Sequence, residues 1–190
     1  MKLDRVLPFS HQLLQKCIGD GDIAVDATMG NGHDTLFLAH LVGEKGKVYS
    51  FDIQEEALRS TQEKLTNQNI QNASLHLCGH QHISETIPKE LHSKVSGAIF
   101  NLGYLPGGDK SIVTQANTTI SAIEQLLHVL APEGIIVLVI YHGHEEGAVE
   151  RDKLLSYVKS INQKEAHVLQ YQFINGANNP PFIVAIEKIK

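Results

Sequence analysis

Apolar and polar positions along the chain alternate between two kinds of segment. Short apolar runs rich in β-branched and aromatic residues predict five strands, over residues 23–28, 47–52, 74–77, 97–102 and 134–141. Segments with helical spacing of apolar residues separate them. This order of strands and helices predicts an α/β fold, with a parallel sheet covered by helices on both faces.

The helices are predicted from apolar spacing and from their end signals. Ser10 is the expected N-cap of a leading helix that ends at Ile18 and buries Leu13 and Leu14. Three more helices are expected, over residues 54–67, 114–130 and 149–161.

The last third of the chain has a different pattern. Two β-rich runs, residues 166–174 and 182–189, are joined by a polar segment that contains glycine and proline. Such a connection favours antiparallel pairing. We therefore expect one domain over residues 1–190, with a mostly parallel seven-stranded sheet that includes an antiparallel C-terminal strand.

The composition limits the classes of protein to which the chain can belong. With 42% hydrophobic residues and no apolar stretch of the length that crosses a bilayer, no membrane partner is expected. The first residues lack the features of a secretory signal, so a cytoplasmic location is expected. Cys17 and Cys78 are far apart and signal neither a disulfide framework nor a zinc site, and the eleven histidines include no H-E-x-x-H motif. No metal is expected.

The net charge of −5 argues against a wide basic surface for duplex nucleic acid. It leaves open a nucleic-acid substrate held by local basic residues, by partly charged histidines or by a second subunit. A homodimer also stays open, because the sequence does not determine the oligomeric state.

A glycine pair, Gly30 and Gly32, follows the first predicted strand and opens a helical pattern. This arrangement lets backbone amides approach a nucleotide-like ligand. Asp52 ends the next strand, where a carboxylate can accept hydrogen bonds from both ribose hydroxyls. Thr35 replaces the third glycine of a dinucleotide loop and Asp26 precedes the turn. These two residues favour S-adenosylmethionine over a nicotinamide dinucleotide, which stays the second hypothesis.

The expected cofactor contacts extend beyond these residues. Asp26 is a candidate for the methionyl ammonium group, and Asp34 either contacts the ligand or stabilises the first turn of its helix. Gly79 and His80 follow the third strand, where they can border the adenine. The other cofactor residues expected are Asn31, Thr35, Ile53 and Asn101.

The loop after the fourth strand indicates the type of reaction. Asn101 and Tyr104 are spaced as in the Asn/Asp-Pro-Pro-Tyr loop of amine and amide N-methyltransferases, which this segment resembles. The resemblance implies that the Asn101 side-chain oxygen accepts a hydrogen bond from the target nitrogen, while Tyr104 flanks the reacting centre. Asp109, Tyr104 and His142 are alternative acceptors for the proton of an amine substrate.

Five segments together resemble the rRNA methylase family of small Gram-positive proteins, which includes the YtqB-like tRNA methyltransferases. The segments are residues 10–11, 26–35, 101–109, 141–144 and 178–181. The resemblance implies a class I, Rossmann-like methyltransferase fold. It also implies methylation of the aminomethyl group of a modified wobble uridine in tRNA with S-adenosylmethionine as donor.

Membership of this family would make the tRNA anticodon loop the partner. An acidic protein can bind a flipped single-stranded base more easily than a duplex. The substrate side of the pocket would then be formed by His11, Tyr104, Lys110, Tyr141, His142 and Asn178. Lys2 and Arg5 are further candidates for phosphate contacts. Two alternatives stay open: methylation of ribosomal RNA or of a small amine, and a non-catalytic nucleotide-binding module.

Overall fold

The structure is a computed structural model that describes residues 2–109, 111–143 and 145–190. The strands are β1 Ile23–Asp26, β2 Lys47–Asp52, β3 Ala73–Leu77, β4 Val95–Leu102, β5 Leu130–Ile140, β6 Ala166–Tyr171 and β7 Phe182–Lys188. The helices are α1 Val6–Cys17, α2 His33–Val42, α3 Glu55–Asn67, α4 Ile83–Thr86, α5 Ala116–Val129 and α6 Glu145–Ser160. Two short 3₁₀ turns lie at His80–His82 and Lys89–Leu91.

All the strands form one seven-stranded sheet in the order β3-β2-β1-β4-β5-β7-β6. The pairings among the first five strands are all parallel, whereas β7 is antiparallel to both of its neighbours, β5 and β6. The predicted sheet, mostly parallel with one antiparallel C-terminal strand, is confirmed. The strand order reverses between β1 and β4, and in such sheets the crevice at that point is where ligands bind.

The two faces of the sheet are buried under different helices, because strand side chains alternate in direction. Ala24, Ile99 and Val137 pack with residues of α1 and α2. Val25, Phe100 and Leu138 pack with α5 and α6 on the opposite face. The strands are thus apolar on both sides, as expected of a parallel sheet in an α/β protein.

The predicted N-cap at Ser10 is wrong. The first helix begins at Val6, and Ser10 is buried inside it with its hydroxyl donating to the Leu7 carbonyl at 2.7 Å. Pro8 is tolerated in the first turn, because the backbone N–H groups there have no intrahelical partner to lose.

Other boundaries differ from the predictions by a few residues. The first strand ends at Asp26 instead of residue 28, because the Asp26 carboxylate accepts the Thr28 backbone N–H at 3.2 Å and bends the chain. The last helix begins at Glu145 and the strand after it ends at Tyr171. Residue 130 is already paired with β4 through Val95, so the predicted helix over 114–130 is shortened to α5.

Within residues 2–109, 111–143 and 145–190, no helix combines the length and the apolar character needed to cross a membrane.

Phe182, at the start of β7, is 1% exposed and packs in the core beside the carboxyl end of β5. We expect Phe182→Ala to lower the free energy of unfolding by about 3–5 kcal/mol, because the ring leaves a cavity in a packed core. Ile174→Ala, at a residue 93% exposed in the hairpin that leads to β7, is the matched control and should stay within about 0.5 kcal/mol. Urea unfolding measures both, and equal losses would contradict this description of the core.

Candidate functional site

A cavity of about 810 Å³ opens at the carboxyl ends of β1, β2, β4 and β5. Its size lies within the range of small-molecule sites. Residues from α1 and from the loops after β3 and β4 complete its wall. The wall is mostly apolar, with a few polar groups that converge from distant parts of the chain.

The loop between β1 and α2 turns through two glycines with positive φ, 51° at Gly30 and 75° at Gly32. A Cβ at Gly32 would lie 2.6 Å from the buried Thr61 hydroxyl, so the position excludes larger residues. The Thr61 hydroxyl donates to the Gly30 carbonyl at 3.1 Å. The loop is therefore held by α3 with its backbone against the cavity.

Asp52, at the end of β2, is held in one orientation by two backbone amides. Gly30 N–H donates to Oδ2 at 2.9 Å and Gln54 N–H donates to Oδ1 at 3.0 Å. Each carboxylate oxygen has room for a second donor. Asp52 lines the cavity, so it can accept two more hydrogen bonds from a ligand on the same side as the glycine loop.

Asp26 lies behind the glycine loop and is fully buried. It accepts the Thr35 hydroxyl at 2.6 Å and the Thr28 amide at 3.2 Å. Burial, with a contribution from the negative charge of Asp34, raises the pKa of Asp26 to about 7. Asp26 and Thr35 do not lie on the cavity wall, and the predicted contact of Asp26 with an ammonium group stays a prediction.

His80 forms part of the cavity wall after β3 and is almost completely buried. Its Nδ1–H donates to the Ala27 carbonyl at 3.1 Å, because a carbonyl can only accept. Burial lowers the pKa of His80, which keeps the ring neutral. Nε2 is then a buried acceptor without a hydrogen-bond partner among the described residues.

Asp34, in the first turn of α2, joins α1 to the end of β4. Its Oδ1 accepts the His11 Nε2–H at 2.6 Å, and its Oδ2 accepts the Asn101 side-chain NH₂ at 2.5 Å. A carboxylate only accepts, so the amide nitrogen of Asn101 faces Asp34 and its Oδ1 is turned away. No hydrogen bond to Asn101 Oδ1 forms among the described residues.

The loop after β4 is held from two sides. The Asn101 backbone N–H donates to the Thr28 hydroxyl at 2.6 Å, and the Gly103 N–H donates to the Thr114 hydroxyl at 2.9 Å. The Asn31 side chain donates to the Pro106 carbonyl at 3.1 Å and so links this loop to the glycine loop. Tyr104 lies on the cavity wall and is 42% exposed.

Tyr141 and His142 follow β5 on the same edge, and both line the cavity. Burial, and secondarily the charge of Asp34, raises the pKa of Tyr141. Both ring nitrogens of His142 are engaged: Nδ1 accepts from Arg151 at 3.2 Å, and Nε2–H donates to the Pro180 carbonyl at 3.1 Å. His142 therefore ties this loop to α6 and to the C-terminal hairpin.

The cavity brings together most of the residues predicted from the sequence. Those on its wall are His11, Gly30, Asn31, Asp34, Asp52, Ile53, Gly79, His80, Asn101, Tyr104, Tyr141 and His142. Those that the structure places off the wall are Asp26, Gly32, Thr35, Asp109 and Asn178. Lys110 lies outside the described residues.

Asp109 is exposed and accepts the Ser111 amide and hydroxyl, both at 2.8 Å. These bonds hold the pKa of its carboxyl below the ordinary value. Asn179, the neighbour of Asn178, lines the cavity instead.

Several wall residues were not predicted. Thr28 and Thr114 matter most, because their hydroxyls anchor the end of β4 at Asn101 and the start of the following loop at Gly103. Thr28 could have been recognised as a site residue from its position between Asp26 and Gly30. Nothing in the sequence around Thr114 indicates that it belongs to the site. Among residues 2–109, 111–143 and 145–190, no group of three or more His, Cys, Asp or Glu could hold a metal ion.

A protein-family model described as "Putative rRNA methylase" matches residues 48–187. The chain belongs to this family. The resemblance inferred from the five sequence segments is thereby confirmed.

Relatives of known structure share the whole fold. An rRNA methylase by name from Clostridium thermocellum is 44% identical with a TM-score of 0.95, over 100% of both chains. A methyltransferase by name from Streptococcus mutans, solved in complex with SAH, is 43% identical with a TM-score of 0.89, over 98% of this chain and 99% of that one. The class I methyltransferase fold expected from the sequence is confirmed.

One relative carries a substrate in its name. The chloroplastic tRNA (mnm⁵s²U34)-methyltransferase of Arabidopsis thaliana is 33% identical to this chain. The match covers 94% of this chain and 68% of the relative.

The buried carboxyl of Asp26 makes stability depend on pH. Its pKa is raised in the folded protein from 3.8 to about 7, so the native state binds this proton more tightly than the unfolded chain does. The resulting stabilisation is complete below the unfolded pKa and is lost as pH rises through about 7. Asp26→Asn keeps the neutral form at every pH. We therefore expect the variant to gain stability relative to wild type as the pH rises from about 4 to about 7, measured by urea unfolding. A difference that does not change with pH would show that Asp26 is not buried as described.

Proposed function

We propose that this protein is an S-adenosylmethionine-dependent methyltransferase that methylates the 5-aminomethyl group of 5-aminomethyl-2-thiouridine at the tRNA wobble position. The product would be the 5-methylaminomethyl derivative. The names of the Arabidopsis and Streptococcus relatives support substrate and cofactor respectively. The geometry of Asn101 supports an amine as the target.

The cavity contains what the cofactor requires. Asp52, already oriented by two amides, has a second acceptor site on each oxygen for the ribose hydroxyls. His80 lies in the neighbourhood predicted for the adenine, where many methyltransferases have an acid and this chain has none, and its buried Nε2 has no hydrogen-bond partner among the described residues. The donor supplies a methyl group already activated on a sulfonium, so no metal is needed. The residues of this cavity therefore fit S-adenosylmethionine as the methyl donor.

Asn101 carries the proposal. Asp34 holds the amide nitrogen, and Thr28 holds the backbone, so the side-chain oxygen is the acceptor presented to the cavity. An oxygen fixed in this way can accept an N–H of the target amine and direct the nitrogen lone pair toward the methyl carbon.

The substrate side suits a single flipped base. Tyr104 and Tyr141 line the cavity with 42% and 37% of their surface exposed, and aromatic faces of this kind stack on unpaired bases. A protein with a net charge of −5 is poorly suited to a long duplex, whereas one extruded nucleotide requires few phosphate contacts. Lys2 and Arg5, in the segment that leads into α1, remain candidates for those contacts, as does Lys110.

The assay that tests the proposal uses purified protein, labelled S-adenosylmethionine and three acceptors. They are tRNA carrying 5-aminomethyl-2-thiouridine, ribosomal RNA, and the free aminomethyl nucleoside. We expect one methyl group on the tRNA nucleoside, seen by mass analysis, and none on the other two. Methylation of ribosomal RNA or of the free nucleoside alone would replace the tRNA proposal, and calorimetry that showed NAD but not S-adenosylmethionine binding would end it.

Two substitutions should separate cofactor binding from catalysis. Asp52→Ala removes the proposed ribose contacts, so the Kd for S-adenosylmethionine should rise about 10–100-fold, as for the loss of hydrogen bonds to a charged group. Asn101→Ala should keep that Kd within about threefold and lower kcat about 10²-fold, the scale of a misplaced reacting group.

Calorimetry and single-turnover rates measure the two effects. Asp20→Ala, at an exposed residue away from the cavity, is the control. Equal effects of both substitutions on Kd would contradict the assigned roles.

A further inference from the structure

We propose that His11, supported by Asp34, is the base that removes the proton from the substrate amine before methyl transfer. This inference rests on the proposed function, because it needs an amine substrate. It goes beyond a lining role for His11 and replaces Asp109 and His142 as the proton acceptor.

The hydrogen bond to Asp34 determines which nitrogen of His11 can act. A carboxylate cannot donate, so the 2.6 Å contact requires the proton on Nε2. In the neutral ring Nδ1 is then the acceptor, and no hydrogen bond to it forms among the described residues. The ring stacks on Phe37 at 3.8 Å between centroids with planes 6° apart, which fixes its orientation on the cavity wall.

Asp34 places the base beside the group that orients the amine. Its two oxygens hold His11 and Asn101 at 2.6 and 2.5 Å, so the two side chains are neighbours on one carboxylate. An amine nitrogen hydrogen-bonded to Asn101 Oδ1 is then presented next to the imidazole. When His11 takes up the proton, the new imidazolium pairs with the Asp34 carboxylate already in contact with it.

Three other titratable groups at or near the cavity are occupied, remote or enclosed. Both nitrogens of His142 are engaged by Arg151 and the Pro180 carbonyl. Asp109 is exposed off the cavity wall. His80 donates from Nδ1, and its Nε2 is enclosed on the adenine side.

Three titratable groups bear on His11, one by direct contact and two through Asp34. Asp34 on α2 is in direct contact. Tyr141 after β5 and Asp26 on β1 both interact electrostatically with Asp34.

The step balances in atoms and charge. The substrate enters as R–CH₂–NH₃⁺, because aliphatic amines titrate near pH ~10, and His11 Nδ1 takes one proton. The lone pair of R–CH₂–NH₂ forms the N–C bond as the C–S bond of the sulfonium breaks. The products are R–CH₂–NH₂⁺–CH₃ and neutral S-adenosylhomocysteine. His11 then returns its proton to water.

The test compares His11→Gln with His40→Gln under single-turnover conditions. The introduced side-chain amide can still donate to Asp34 but cannot take up a proton, whereas His40 is exposed at the other end of α2 and is the matched control. We expect His11→Gln to lose about 10²-fold in rate near pH 7, the lower end of what general-base catalysis supplies. The deficit should shrink steadily toward pH ~10, where solvent deprotonates the amine. Affinity for S-adenosylhomocysteine should not change.

A deficit of the same size at every pH would overturn the proposal, since it would indicate a structural role. So would a wild-type rate in His11→Gln near pH 7. ¹⁵N NMR of the histidine rings in the protein with S-adenosylhomocysteine provides an independent measurement. It should show neutral His11 protonated on Nε2, and protonation on Nδ1 would also overturn the proposal. If wild-type protein methylates no amine, the proposed function itself fails, which the tRNA assay shows separately.

Discussion

A carboxylate accepts hydrogen bonds but cannot donate them, and this constraint at Asp34 determines how the neighbouring side chains are oriented in the site. Because one oxygen binds His11 and the other binds Asn101, the tautomer of the imidazole and the orientation of the amide are both determined. These two residues come from α1 and β4, so one side chain at the start of α2 aligns three elements. The arrangement of His11 and Asn101 on the cavity wall therefore depends on one carboxylate.

The fold makes the alignment possible. Reversal of strand order between β1 and β4 opens the crevice at the carboxyl edge, and the apolar core on both faces holds the strand ends in register. The two halves of the crevice carry different groups. The glycine loop and Asp52 present backbone and a carboxylate, whereas the end of β4 and the loops after β4 and β5 present Asn101 and two tyrosines. Asn31 links the two halves through the Pro106 carbonyl.

The sequence predicted the sheet well, because strand burial leaves apolar runs that are easily recognised. The second strand was placed at its observed bounds, and the glycine loop and Asp52 were recognised from local spacing. Ser10 was misplaced because its local signal is that of a cap, whereas its hydroxyl bonds inside a helix that starts earlier. Asn101, Asp34 and His11 were each singled out, but their contacts with one another were not predicted. His11 and Asp34 are 23 residues apart, and Asp34 and Asn101 are 67 apart, so only tertiary structure brings them together.

Asp26 shows why a site of this kind retains an unfavourable group. Burial without a neighbouring cation raises the pKa of this carboxyl, and the folded protein loses stability when the group ionises. Yet its two oxygens hold Thr28 and Thr35, and Thr28 in turn accepts the backbone N–H of Asn101. Asp26 and Asp34 therefore act on the same residue from two directions, one through its backbone and one through its side chain. Since the two carboxylates also repel each other, a protonated Asp26 leaves the negative charge on Asp34, where a protonated His11 can pair with it.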